Sequence, residues 1–160
     1  MLYFAYGSNL YPPQMQARCP GAQALTRGML ENWQLILTKR GTANIISKPG
    51  ALVHGGLWKF QPHHVAIMDR WEGVSSGVYR KAWLPVRTAD GGLKTALTYV
   101  GAHRSYGRAS PHYIINAMIP GALAFALPEA YLEEIRSWLP TRPIATSQRY
   151  YGQRNQTPKK

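Results

Sequence analysis

The first apolar block of the chain, Leu2 to Tyr6, is an unbroken run of residues that favour strands. It breaks into Gly7-Ser8-Asn9, three residues suited to turns and caps, and Pro12-Pro13 follows where a helix takes its first turn. The pattern predicts a buried strand, a tight turn and a short helix over Gln14 to Arg18, closed by Pro20-Gly21. Trp33 to Thr38 reads as a strand, and Lys39-Arg40-Gly41 as a turn. Ala43 to Ser47 reads as another strand, stopped by Lys48-Pro49-Gly50. Leu52 to Phe60 reads as a further one, in which Gly55-Gly56 marks a bulge or a close approach of backbones.

The period changes at Pro62. Val65, Met68 and Trp71 recur at helical spacing and share one face, with Pro62 at the first helical position. Gly73 stands where a left-handed C-terminal cap belongs. Val78 to Thr88 and Lys94 to Val100 then read as strands around Ala89-Asp90-Gly91-Gly92, a strong hairpin signal. Gly101 to Ser110 is a basic loop containing glycine. Two helices follow: Pro111 to Ala126, strained by Pro120-Gly121, and Pro128 to Leu139, amphipathic through Tyr131, Leu132, Ile135 and Trp138. Beyond Pro140 an extended or partly disordered tail is expected. Short strands, hairpins and unalternated helices indicate α+β, with a sheet that curls into a small barrel. The expected domain is 1–140, with 141–160 a basic C-terminal tail.

Composition narrows this picture. A chain of 160 residues with 45 % apolar residues is one globular domain able to bury a core. Its one cysteine, Cys19, has no internal disulfide partner, which points to a reducing, cytoplasmic setting. The N-terminal run ends at Gly7 without a basic leader, so it does not read as a signal peptide, and Tyr113 to Leu127 is too short to span a bilayer. No membrane partner is expected. The net charge of +12 is the one unusual bulk property. Arg142, Arg149, Arg154, Lys159 and Lys160 fall in the last twenty residues, which hold no acid, and the other cations are scattered. Scattered charge reads as a solvated basic surface, which disfavours a nucleic-acid site.

Seven carboxylates leave few candidates for acid/base chemistry. Glu72 sits at the C-terminal end of the Pro62 helix beside Trp71, where the helix dipole and burial both disfavour its charge. Both push its pKa up, toward the range of a general acid/base. Asp69, three residues earlier, shares that face and adds repulsion. The plainer reading is a solvated Glu at a helix end. The Gly7-Ser8-Asn9 turn aims several backbone N–H groups at one point and could cradle an anion, or be an ordinary strand-turn-helix junction. Ser8 lacks the second glycine of a nucleophile elbow. His63 and His64 are adjacent and point apart on a helix, so the five histidines make no metal pattern. Cys19 reads as a packed residue, and Tyr79, Trp83 and Tyr99 as cross-strand packing.

Two stretches carry a resemblance. Tyr3-Phe4-Ala5-Tyr6-Gly7-Ser8-Asn9-Leu10 is similar to the N-terminal signature of the gamma-glutamylcyclotransferase family. Met68-Asp69-Arg70-Trp71-Glu72-Gly73-Val74 followed by Gly77-Val78-Tyr79 resembles its Leu-Asp-x-x-Glu-Gly-Val-x-x-Gly-x-Tyr signature, with Met for Leu. Ala43-Asn44-Ile45, Gly55-Gly56-Leu57-Trp58, Thr98-Tyr99-Val100, Pro111-His112-Tyr113, Gly121-Ala122 and Leu127-Pro128 with Tyr131 resemble further family segments in the same order. The resemblance implies a small mixed β-barrel with flanking helices. It implies a carbon–nitrogen lyase or acyltransferase type of enzyme that turns a small gamma-glutamyl amine or peptide into 5-oxoproline and a free amine. It places the acid/base on Glu72, and substrate binding on Tyr3, Phe4, Ala5, Tyr6, Gly7, Ser8, Asn9 and Tyr113, with Tyr99 a wall of the pocket. No metal or organic cofactor is implied. Ala126 stands where the family usually has Gly, and Pro120 precedes Gly121; both are expected to reshape the leaving-group side of the pocket. The alternative is a non-catalytic basic barrel that binds nucleic acid or acidic partners. The sequence specifies neither the amine released nor an oligomeric state.

Overall fold

Five strands close into a barrel in the computed structural model, which describes residues 1–140. The expected tail, 141–160, lies outside the described residues. The strands are β1 (Leu2–Ala5), β2 (Gln23–Leu37), β3 (Ala43–Lys59), β4 (Tyr79–Thr88) and β5 (Leu93–Gly101). Around the barrel their order is β1-β3-β2-β4-β5. β1 lies antiparallel to β3, with Phe4 opposite Leu57, and meets β5 in parallel at Tyr3 and Leu97. That last pairing closes the barrel and leaves no open edge.

The helices fill the gaps between strands. α1 (Pro12–Arg18) follows a 3-10 turn over Ser8–Leu10, α2 (Pro62–Trp71) links β3 to the β4–β5 hairpin, and α5 (Glu129–Ser137) packs Tyr131, Leu132 and Ile135 into the core. Between β5 and α5 runs a helical stretch of three parts: α3 (Pro111–Tyr113), a π-helical turn over Ile114–Met118, and α4 (Ile119–Ala124). The π turn answers the strain expected at Pro120. Proline has no N–H to donate to Asn116, and its ring would press on that carbonyl. The Ile119 N–H instead reaches back five residues to Ile114, and the extra residue lets the chain pass.

Two expectations change here, and an open alternative at Gly55-Gly56 is decided. The strand expected to begin at Trp33 begins at Gln23, because both β3 and β4 pair with its first half. The strands expected on either side of Lys48-Pro49-Gly50 are one, β3. Ser47 pairs with Trp33 and Leu52 with Glu31, so 48–51 bulge out opposite Asn32. Gly50 takes φ +77 there, and its N–H donates to Asn32 Oδ1 at 3.0 Å. Gly55 and Gly56 mark a close approach and not a bulge, as their pairing with Gly28 and Arg27 is regular. A Cβ on Gly55 would stand 2.2 Å from the Ala5 carbonyl, and one on Gly56 would strike the Phe125 ring at 2.6 Å. Among the described residues no helix is long and apolar enough to cross a membrane.

Candidate active site

The end of α2 and the bend after β1 meet over a cavity of about 350 Å³ at one mouth of the barrel. Each element arrives for a local reason. α2 starts at Pro62 behind a capping box, in which His64 Nδ1 accepts the Gln61 N–H at 3.1 Å. The helix stops at Gly73, whose φ of +62 is natural only for glycine, and this reversal leaves Glu72 facing the cavity. On the other side β1 ends at Ala5, and the 3-10 turn brings Asn9 back under Tyr3.

Asn9 joins the two elements. Its Nδ2 donates to Glu72 Oε1 at 2.8 Å and to Tyr3 Oη at 2.9 Å. Glu72 is half-buried, and burial raises its pKa from the ordinary carboxylate value. The Asn9 hydrogen bond and the Arg18 charge oppose that rise without cancelling it. Asp69 is not among the causes. Its carboxylate is held by Lys81 Nζ at 2.6 Å and by Tyr99 Oη at 2.7 Å, so the expected repulsion is absent.

Tyrosines form much of the wall. Tyr6 Oη donates to the Tyr99 carbonyl at 2.6 Å. Tyr113 Oη accepts the Ser8 N–H at 3.2 Å and the Ala43 N–H at 3.3 Å. Burial pushes the phenols of Tyr3, Tyr6, Tyr99 and Tyr113 up, and that of Tyr79 to about 12, so all stay protonated near neutral pH. Glu72 is the carboxyl group lining this cavity, and burial moves its pKa upward. The Ser8 amide is engaged by Tyr113, while those of Gly7 and Asn9 donate to no group among the described residues.

Of the residues expected at the site, Tyr3, Tyr6, Gly7, Ser8, Asn9, Glu72, Tyr99 and Tyr113 line this cavity. Phe4 and Ala5 do not. Strand alternation turns Phe4 away from Tyr3, and its ring packs in the core under Gly55, while Ala5 is buried with a side chain too short to reach. Pro120 and Ala126 also lie away from the cavity. Ala126 adopts φ +49, a left-handed turn that glycine would make with less strain.

Among the lining residues that were not anticipated are Arg18, Arg40, Trp71 and Tyr79. Trp71, expected on the buried face of α2, is 60 % exposed, with the Arg18 guanidinium 4.7 Å above its ring. Tyr79, read as cross-strand packing, donates from Oη to the Ala43 carbonyl at 2.8 Å at the cavity wall, while Trp83 is exposed. His63 and His64 do not point apart; their rings meet edge-on at 4.1 Å because His64 is fixed by Gln61 and by the Pro20 carbonyl. Among the described residues no three His, Cys, Asp or Glu side chains gather to hold a metal ion.

Known proteins share this architecture. The sequence pattern described as the AIG2-like family matches residues 52–135. A mouse protein named gamma-glutamylcyclotransferase is 32 % identical over 146 residues, spanning 85 % of this chain and 77 % of its own. The human protein of that name is 30 % identical over the same shares. A solved structure titled gamma-glutamyl cyclotransferase superposes with a TM-score of 0.80 at 28 % identity, covering 91 % of this chain and 94 % of its own. With sequence and barrel both matching over most of its length, the chain belongs to the AIG2-like family of gamma-glutamylcyclotransferase enzymes.

Proposed function

We propose that this enzyme converts a gamma-glutamyl amine or peptide into 5-oxoproline and a free amine by intramolecular aminolysis, with Glu72 as general acid/base. The observation that carries the reading is the meeting of Glu72 with the Gly7-Ser8-Asn9 bend across one cavity, bridged at 2.8 Å by Asn9. The substrate's alpha-amine nitrogen attacks its own gamma-carbonyl carbon, forming the ring C–N bond. Glu72 takes the proton that the amine sheds and returns it to the leaving nitrogen as the old C–N bond breaks. No water is consumed and no net charge is made. Closure of a five-membered ring is already favoured by proximity, so the protein's tasks are to hold the folded conformer and to carry the proton.

The amides of Gly7 and Asn9 face a negatively charged oxygen of the substrate, and the neutral phenols of Tyr6, Tyr99 and Tyr113 shape its path. Arg18 and Arg40 give the cavity a positive cast that suits an anionic glutamyl group. A reducing, cytoplasmic setting accords with Cys19, which is buried with its thiol raised to about 11. Residues 1–140 form the catalytic domain in this reading, with 141–160 appended to it.

The test is release of 5-oxoproline from a panel of gamma-glutamyl dipeptides and amines. At least one is turned over by the native enzyme, and Glu72→Gln loses about a hundredfold or more in rate while keeping its fold. Full activity in Glu72→Gln refutes the role given to Glu72.

A further inference from the structure

Arg18 sits on the last turn of α1, half-buried, and the cyclisation chemistry above assigns it no step. Its surroundings are nonetheless specific. Nη1 lies 2.6 Å from Asn9 Oδ1, and its guanidinium is stacked on Trp71. A guanidinium carries only donors. The Asn9 oxygen must therefore face Arg18, and the Asn9 NH₂ must face the other way. Both N–H groups on that side are taken, one by Glu72 Oε1 at 2.8 Å and one by Tyr3 Oη at 2.9 Å. Gln14 Nε2 adds a second, longer contact to the same oxygen, at 3.4 Å. Without Arg18 the carboxamide could turn over and set its oxygen against Glu72, an arrangement that suits only a protonated acid.

We propose that Arg18 is a positioning residue: by fixing which face of the Asn9 carboxamide meets Glu72, it keeps Glu72 in the carboxylate form that accepts the substrate's proton. The effect rests on the reading of Glu72 as the acid/base. Burial drives Glu72 toward its neutral form, and two influences resist it, the Asn9 hydrogen bond and the Arg18 charge. In this arrangement the second influence also maintains the first. The other groups facing Glu72 do not substitute for it. Tyr3 on β1, Tyr79 on β4, Tyr99 on β5 and Tyr113 on α3 are neutral phenols. Arg40, on the β2–β3 turn, lines the same cavity but makes no hydrogen bond to Asn9 or Glu72. On α2 itself Asp69 is paired with Lys81 and accepts from Tyr99. The Trp71 ring earns its solvent-facing position in this scheme, because it holds the guanidinium plane where Nη1 meets Asn9.

The experiment is a carboxyl-carbon NMR titration of the full chain labelled in glutamate. The chain has five glutamates, Glu31, Glu72, Glu129, Glu133 and Glu134, and Glu72→Gln identifies the signal of interest. In Arg18→Met the Glu72 midpoint moves to higher pH, and the rate of 5-oxoproline release below neutral pH falls on the order of fivefold further than the rate at alkaline pH. Arg18→Gln, which keeps a neutral donor to Asn9, shifts in the same direction by less and serves if Arg18→Met loses its fold. A Glu72 midpoint that stays at its native value in either folded variant overturns the proposal, as does a loss of rate that is uniform with pH. Failure of the acid/base reading is seen separately. Full activity in Glu72→Gln would remove Glu72 from the reaction, while the carboxyl titration would still report whether Arg18 sets its charge.

Discussion

Asp69 and Glu72 stand one helical turn apart at the end of α2, yet they occupy opposite kinds of surroundings. Asp69 turns toward β4 and β5, where Lys81 and Tyr99 hold its two oxygens at 2.6 and 2.7 Å within reach of solvent. Glu72 turns under the β1 bend, where one neutral amide is its hydrogen-bond partner and burial dominates its titration. A carboxylate whose lone pairs are met by a cation and a hydroxyl is tied into the surrounding structure. One that is desolvated with a single donor is left with a proton to exchange. What separates them is the residue after each. The helix continues past Asp69, but after Glu72 it reverses at Gly73 with φ +62, and that reversal aims the carboxyl inward.

If that contrast governs function, substitutions should rank accordingly. Glu72→Gln gives the largest loss, about a hundredfold or more in kcat, read as 5-oxoproline release. Asn9→Leu follows with a loss on the order of tenfold, since it removes the donor to Glu72 and leaves Tyr3 Oη unpartnered there. Asp69→Asn keeps the shape and an acceptor for Tyr99, so kcat stays within about threefold of native. Lys81→Met breaks an ion pair whose partners are 40 % and 26 % exposed, and steady-state rates then stay within about twofold. A loss at Asp69 equal to that at Glu72 would erase the distinction.

Stability sharpens it from the other side. The pKa of Glu72 is raised in the folded chain, so the fold binds a proton that the unfolded chain has released. That makes Glu72 a burden above the unfolded pKa, relieved as pH falls through the raised value. Glu72→Gln should therefore melt higher than the native protein at neutral pH, by about 2–4 °C for each kcal/mol relieved. The gap should close as the solution is acidified toward the ordinary Glu range of about 4.3. A gap that widened on acidification would reverse the sign assigned to burial.

Much of this frame is written locally in the chain. α2 could be delimited because Pro62 and Gly73 act at its two ends through backbone geometry alone, and the β4–β5 hairpin because Asp90-Gly91 permits the turn. The first half of β2 could not. Leu25 is exposed, and the inward position at Gly28 has no side chain because a Cβ there would meet Val86 Cγ1 at 2.6 Å, so the residue types do not follow the alternation of burial. It is a strand because β3 and β4 flank it. At the site, Glu72 and the β1 bend are legible as motifs, whereas Phe4 and Ala5 enter with the family signature as a whole, which does not distinguish the strand residues that face the cavity from those that do not. Arg18 carried no spacing signal; its position depends on an amide nine residues earlier and on an indole from another helix.

The parallel contact between Tyr3 and Leu97 has a consequence for biosynthesis. The strand that leads into the site leaves the ribosome long before the strand that seals it. Until residues 93–101 have emerged, one side of Leu2–Ala5 has no backbone to bind, and the aromatic segment beside it has nothing to cover it. Newly made chains thus pass through a period in which the stretch leading into the cavity is bare and apolar, and chaperone capture in that window should fall on residues 2–6.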